Sequence, residues 1–233
     1  MKEFILILFN PKGCFRILKI TPFSWGKGMI ILLFLVIINS ILSLPIGKAV
    51  MNHSDFFSKM PDESVTMLKA TQEKMKFVGL FTSSLFFVIK MFFYSLILWL
   101  LSFLGKKDIL FIQILSLFII SYFIVILGDI INTGIIYYQG IDEVTTGYSI
   151  YKTGFNLFFN VKSIGPIMYS ILTYINPFQL WFIFLLITGL NNLVEIKVSK
   201  ATAIILIFWI ITVALPVFFI YLSEIGKSKA ALL

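Results

Sequence analysis

Lys90 lies inside one long apolar run, Phe77–Leu104, and Asp129 inside the next, Ile109–Tyr138. A charged side chain within a hydrocarbon-spanning segment is costly, so it finds a partner, a water-filled cavity or a route to the interface. The two runs are separated only by Gly105-Lys106-Lys107-Asp108, which makes them a hairpin. At about 1.5 Å per residue from that turn, Lys90 lies about 22 Å and Asp129 about 31 Å along their helices. Helical side chains lean toward the N-terminus, which carries Lys90 toward the level of Asp129, and a lysine reaches about 6 Å, so a bridge is allowed. Ser83 and Tyr94 fall near the face of Lys90, Tyr122 and Asn132 near that of Asp129. Lys90, Tyr94, Asp129 and Asn132 thus form a candidate intramembrane polar seam. Three readings are open: a snorkelling lysine with an interfacial aspartate, a structural salt bridge, or a proton or substrate pathway.

No other constellation points to chemistry. The single His rules out a Ser/His/Asp set within the spans, and neither a glycine-rich phosphate cradle nor paired carboxylates within one span occur. No catalytic residue and no cofactor are therefore expected. One Cys and one His exclude a disulfide framework and a His/Cys-rich metal centre. Cys14 is read as a reduced bystander, and Met60, Met67 and Met75 as packing residues. Asn52-His53-Ser54 has the form of a glycosylation acceptor, which matters only in a eukaryotic secretory membrane.

The elements that hold the seam follow from composition. Hydrophobic residues make up 59% of the chain and charged residues 13%, with a mean hydropathy of +1.00. These values lie outside the range of a water-soluble domain and specify an all-α polytopic membrane protein, a five-transmembrane-helix bundle with N-terminal and loop amphipathic helices. The net charge of +8 is spread around apolar runs rather than gathered on one face, which suits membrane orientation and anionic lipid headgroups, not nucleic acid.

In chain order, residues 1–27 are a cytoplasmic interfacial segment. Asn10-Pro11 ends its first apolar run too early for a span or an ordinary signal peptide. Lys12, Arg16 and Lys19 then recur at helical spacing beside Phe15, Leu18 and Ile20, a candidate lipid-facing basic patch on an anionic leaflet; a partner-protein docking site is the alternative. A five-span domain occupies residues 28–222, with spans at about 28–47, 77–104, 109–138, 177–194 and 201–222. Pro45 and Gly47 close the first span, and Asn39, Ser40 and Ser43 join helices within it. Pro61, Asp62 and Glu63 open an amphipathic helix that runs into the second span. Ile164–Ile175 is apolar but too short to cross, and is assigned to an interfacial or re-entrant helix. Thr188, Asn191, Asn192 and Glu195 form a polar exit from the fourth span. Pro216 kinks the fifth beside Thr212, and residues 223–233 are a short tail.

Asn176-Pro177-Phe178, Trp181, Gly189-Leu190 and Lys200-Ala201 resemble the fourth-span signature of the YIP-domain family, the Ypt- or Rab-interacting integral membrane proteins and their bacterial relatives. The hairpin at Leu98–Ile126 is a second match. In eukaryotic members the resemblance implies Rab-linked trafficking and membrane shaping. This chain lacks the Asp-Leu-Tyr-Gly-Pro motif that precedes the first span there, and its N-terminal segment is short. The resemblance therefore implies a non-enzymatic bacterial plasma-membrane protein with a membrane-organising or partner-binding role. A membrane-protein partner or a homo-oligomer is compatible with it. A small transporter or permease subunit using Lys90 and Asp129 is the alternative, weakened because five spans do not form an inverted repeat.

The Lys and Arg on the N-terminal side are concentrated in short segments, nine of the 19 in Met1–Lys27, Gly105–Asp108 and Glu195–Lys200. That density places the N-terminus inside and the C-terminus outside. A cysteine introduced at Ser228 should react with an impermeant reagent from the outer face; labelling from the cytoplasm alone would contradict five crossings.

Overall fold

The structure is a computed structural model that describes residues 2–20, 24–52, 62–106, 108–141, 153–159 and 161–230. Its helices are α1 (Lys2–Phe9), α2 (Pro11–Ile20), α3 (Trp25–Asn52), α4 (Asp62–Ser102), α5 (Phe111–Gln139), α6 (Val161–Thr173), α7 (Pro177–Asn192) and α8 (Val198–Ala230), with a 3-10 turn at Phe155–Phe158. Among the described residues, five stretches are long and apolar enough to cross a membrane: Trp25–Ala49, Phe77–Ser102, Phe111–Gln139, Ser163–Asn192 and Val198–Leu222. The chain is an all-α polytopic bundle. The sequence expectations for residues 53–61, for Lys107 and for residues 142–152 of the connection concern residues outside those described.

The helix α5 is the hub. Within its apolar window 72% of residues are buried, against 17–22% for the other four stretches. A helix that is apolar on every side belongs inside a bundle. It packs against α1, α3, α4 and α7, while α8 closes the far side through α4, α6 and α7. The hairpin to α4 is stapled by Trp99, whose indole N–H donates to the Ile109 carbonyl at 2.8 Å.

Close approach of α7 to α5 depends on two glycines. A Cβ at Gly189 would stand 2.0 Å from Leu117 Cδ1 and 3.1 Å from Phe15, and one at Gly128 would stand 2.6 Å from Phe178. Two members of the sequence signature, Gly189 and Phe178, are thus contact points of a single seam. Asn176 caps α7, accepting from the Gln179 amide at 2.9 Å, with Pro177 in the first helical turn, where it removes no needed donor.

Several sequence expectations are revised. Helix α3 runs through Pro45 and Gly47 to Asn52 rather than closing there. Tyr137 donates to the nearby Leu42 carbonyl at 2.7 Å, a side-chain bond that supports the backbone around the proline. Thr133 donates to Asn39 Oδ1 at 3.0 Å, so the polar C-terminal half of α3 does join helices. The segment before α7 is a helix bent at Gly165 (φ 78°) and Pro166, then interrupted at residues 174–176, so that the fourth apolar stretch is a broken helix. Helix α8 continues past Pro216, with Thr212 donating to the Trp209 carbonyl at 2.9 Å.

The N-terminal helices are folded onto the bundle. Phe4, Ile7, Phe15 and Leu18 are buried in the same core as Leu117 and Phe118, so Phe15 and Leu18 face protein, while Ile20 is exposed. Lys19 pairs with Glu195, and Lys106 reaches the other carboxylate oxygen at 3.2 Å and the Val194 carbonyl at 3.1 Å. Hydrogen bonds from Lys19 and Lys106 hold the Glu195 carboxyl below its ordinary range. A lowered carboxyl favours the paired state above the ordinary carboxylate range, and that contribution is lost as pH falls through the lowered value. Burial, reinforced by Glu3, pushes the Cys14 thiol up to about 11, leaving it protonated and unreactive at neutral pH.

Gly189→Leu should lower thermal stability in detergent strongly, because overpacking costs of about 1–3 kcal/mol follow when neighbours must move. An unchanged melting temperature would contradict the α5–α7 contact.

Candidate functional site: an intramembrane polar pocket

Lys90 sits almost halfway along the apolar part of α4, 12 residues before Ser102 and 13 after Phe77. At about 1.5 Å per residue it is about 18 Å from the hairpin end, well inside a hydrocarbon layer about 30 Å thick. Its Nζ donates to the Tyr122 hydroxyl of α5 at 2.9 Å. The same ammonium lies 5.6 Å from the Tyr94 ring centroid and 5.4 Å from that of Tyr122, inside the range of cation–π attraction.

The allowed bridge is not formed. Among the described residues no ion pair joins Lys90 to Asp129, and no hydrogen bond reaches the Asp129 carboxylate. The reason is depth. Tyr122 precedes Asp129 by two helical turns and stands level with Lys90, so its hydroxyl meets the ammonium first. Both charged groups nevertheless face one cavity of about 160 Å³, whose wall also includes Tyr122, Tyr174, Asn176 and Gln179. That volume exceeds what a single water needs, and the wall is polar enough to hold water.

The broken fourth stretch makes this pocket. Between α6 and α7 the backbone leaves the helix at residues 174–176, bringing Tyr174, Asn176 and Gln179 opposite Lys90 and Asp129. Non-helical backbone at membrane depth is tolerated where it is buried or lines a cavity. The break is secured from outside the helix, because the Phe155 amide donates to the Ile175 carbonyl at 2.9 Å and Asn156 donates to the Tyr169 hydroxyl at 3.1 Å. The N-terminal end of α7 also fronts the pocket, and its partial positive charge favours a carboxylate there.

A second cavity of about 500 Å³ adjoins the first. Lys90, Tyr122, Tyr174 and Gln179 line both. The larger chamber is aromatic, with Tyr94, Phe118, Phe182 and Phe208 in mutual edge contact around it. Its rim residues Phe86, Phe93 and Phe219 are 65%, 49% and 67% exposed, so the chamber opens sideways between α4 and α8.

Of the four seam candidates, Lys90 and Asp129 share the polar pocket, Tyr94 lines the aromatic chamber, and Asn132 is buried on α5 away from both. Tyr174 and Gln179 were not singled out in the sequence. Their only signal was the helix-breaking Asn176-Pro177 between two apolar stretches. Of the basic patch, Lys12 and Arg16 are exposed and Lys19 is bound to Glu195.

The remaining signature positions divide, with Trp181 and Lys200 on the surface and two others inside. Leu190 and Ala201 are buried, and the Asn191 side chain donates to the Ile196 carbonyl at 2.9 Å, shaping the loop that presents Glu195 in a left-handed conformation (φ 68°). No curated protein and no solved structure gives a significant match to the chain. The Yip1 domain, in contrast, matches residues 5–220. The match takes in four of the five apolar stretches whole and the fifth up to residue 220, with both walls of the pocket and α2, and the chain belongs to the Yip1-domain family of membrane proteins.

Proposed function

We propose that the chain is a non-enzymatic membrane-organising protein of a bacterial plasma membrane, with its N-terminus in the cytoplasm, and that the Lys90/Asp129 pocket is its working element. The observation that carries this reading is the pocket itself. Two opposite charges held near each other but out of contact gain less than a closed bridge would give, while still incurring the cost of burial in hydrocarbon. A chain selected only for stability would do as well with an apolar pair.

The cytoplasmic end supports the same reading. Lys12 and Arg16 are exposed on α2, which is anchored by Phe15 and Leu18, so their charges are carried at a fixed place beside the membrane face. Each such base contributes about 1 kcal/mol toward an anionic surface. A transporter or permease subunit is a second reading, favoured by one observation: the seam encloses a cavity rather than being closely packed.

The double variant Lys90→Met with Asp129→Asn removes both charges together and should fold with a melting temperature near or above that of the native chain. In a deletion strain it should fail to restore the wild-type phenotype. Full restoration by a stably inserted double variant would overturn the reading.

A further inference from the structure

We infer that the two joined cavities seat one phospholipid with a phosphoethanolamine-type head, its phosphate on Lys90 and Tyr122, its primary ammonium on Asp129, and one of its two acyl chains in the aromatic chamber, the other left in the surrounding bilayer. This rests on the reading of the pocket as the working element and adds the class of ligand.

The chemistry follows from what each cavity offers. The polar pocket presents one cation and one anion that do not touch, so it complements a head carrying both charges a short distance apart. Lys90 supplies a compact ammonium with donors left after its bond to Tyr122, and the Tyr122 hydroxyl, accepting from Lys90, still has its own hydrogen to donate to a phosphate oxygen. The Asp129 carboxylate accepts no hydrogen bond among the described residues and suits an N–H-bearing ammonium. A purely anionic head would place a second negative group near Asp129 with nothing to offset it, and a quaternary ammonium has no N–H to give.

The second cavity matches the other end of such a molecule. At about 500 Å³ it lies within the range of ligand pockets, and its wall is chiefly aromatic and aliphatic. It communicates with the head site through Lys90, Tyr122, Tyr174 and Gln179, and its rim of Phe86, Phe93 and Phe219 opens where lipid surrounds the bundle. An amphiphile therefore enters from the bilayer, without passing through water. Because Lys90 is near mid-depth, a head held there lies between the two headgroup planes, as it does in a lipid moving from one leaflet to the other.

The test uses the full chain in nanodiscs containing equal amounts of phosphatidylethanolamine, phosphatidylglycerol and phosphatidylcholine, released into mild detergent and weighed by native mass spectrometry. The native chain should retain one phosphatidylethanolamine in preference to the other two. Lys90→Met should lower retention of every phospholipid about tenfold, the loss of one charge-assisted contact. Asp129→Asn should instead leave retention in place and bring the three classes to parity. Gln113→Ala, on α5 outside both cavities, is the control and should behave as the native chain. Retention without head preference, retention unchanged in both charge variants, or a lipid-free dimer with the window covered by a second copy would each overturn the assignment. Selective retention together with full complementation by the double variant would remove the proposed function and leave the lipid site standing; failed complementation with no head preference would do the reverse.

Discussion

A cation halfway through an apolar helix has to be satisfied from within the protein, and Lys90 is satisfied by the Tyr122 hydroxyl of α5. That hydrogen bond sets the register of the α4–α5 hairpin at mid-depth, as the Trp99–Ile109 bond sets it near the turn. Since α5 is the buried helix on which α1, α3, α4 and α7 pack, the position of this one ammonium constrains the centre of the bundle. Hydrogen bonds to charged groups contribute about 1.5–3 kcal/mol, enough to outweigh slippage of a helix pair whose other contacts are interchangeable aliphatic ones.

The crossing helices were legible in the sequence because hydropathy and length alone define a span. Lys90 and Asp129 were legible as a pair of interest because charges stand out in apolar runs, and Tyr122 was read as lying near the face of Asp129, with which it shares the pocket wall. The identity of the bond was not legible. Whether Lys90 meets Tyr122 or Asp129 is decided by a depth difference of two helical turns, which depends on the hairpin geometry rather than on residue types. The far wall of the pocket was also hidden. Tyr174 and Gln179 come from a break in the fourth stretch, and periodicity is silent about where a broken helix redirects its ends. The proline at position 45 misled in the opposite sense, since a membrane helix can carry a proline when a neighbour such as Tyr137 bonds the backbone close by.

The N-terminal segment teaches a related lesson. Lys12, Arg16 and Lys19 have the spacing of a surface-lying amphipathic helix, but the apolar side of that helix is matched to the bundle through Phe15 at Gly189. Amphipathicity reports that a face is covered, and here protein covers it. The Glu195 clamp then holds Lys19 and Lys106 together where α2, the α4–α5 turn and the α7–α8 loop meet, tying three separate connections at one end of the bundle.

The site depends on a polar space at mid-depth between α4, α5 and the broken helix, open to water when no lipid head fills it. Electron spin echo measurement of deuterium modulation, with a nitroxide at Gln179→Cys in nanodiscs of phosphatidylcholine alone prepared in D2O, tests it most directly, using Phe184→Cys on the outward face of α7 as the dry reference. The account predicts clear deuterium modulation at 179 and little at 184. Equal, weak modulation at both positions would mean that the pocket closes in the bilayer, and would contradict it.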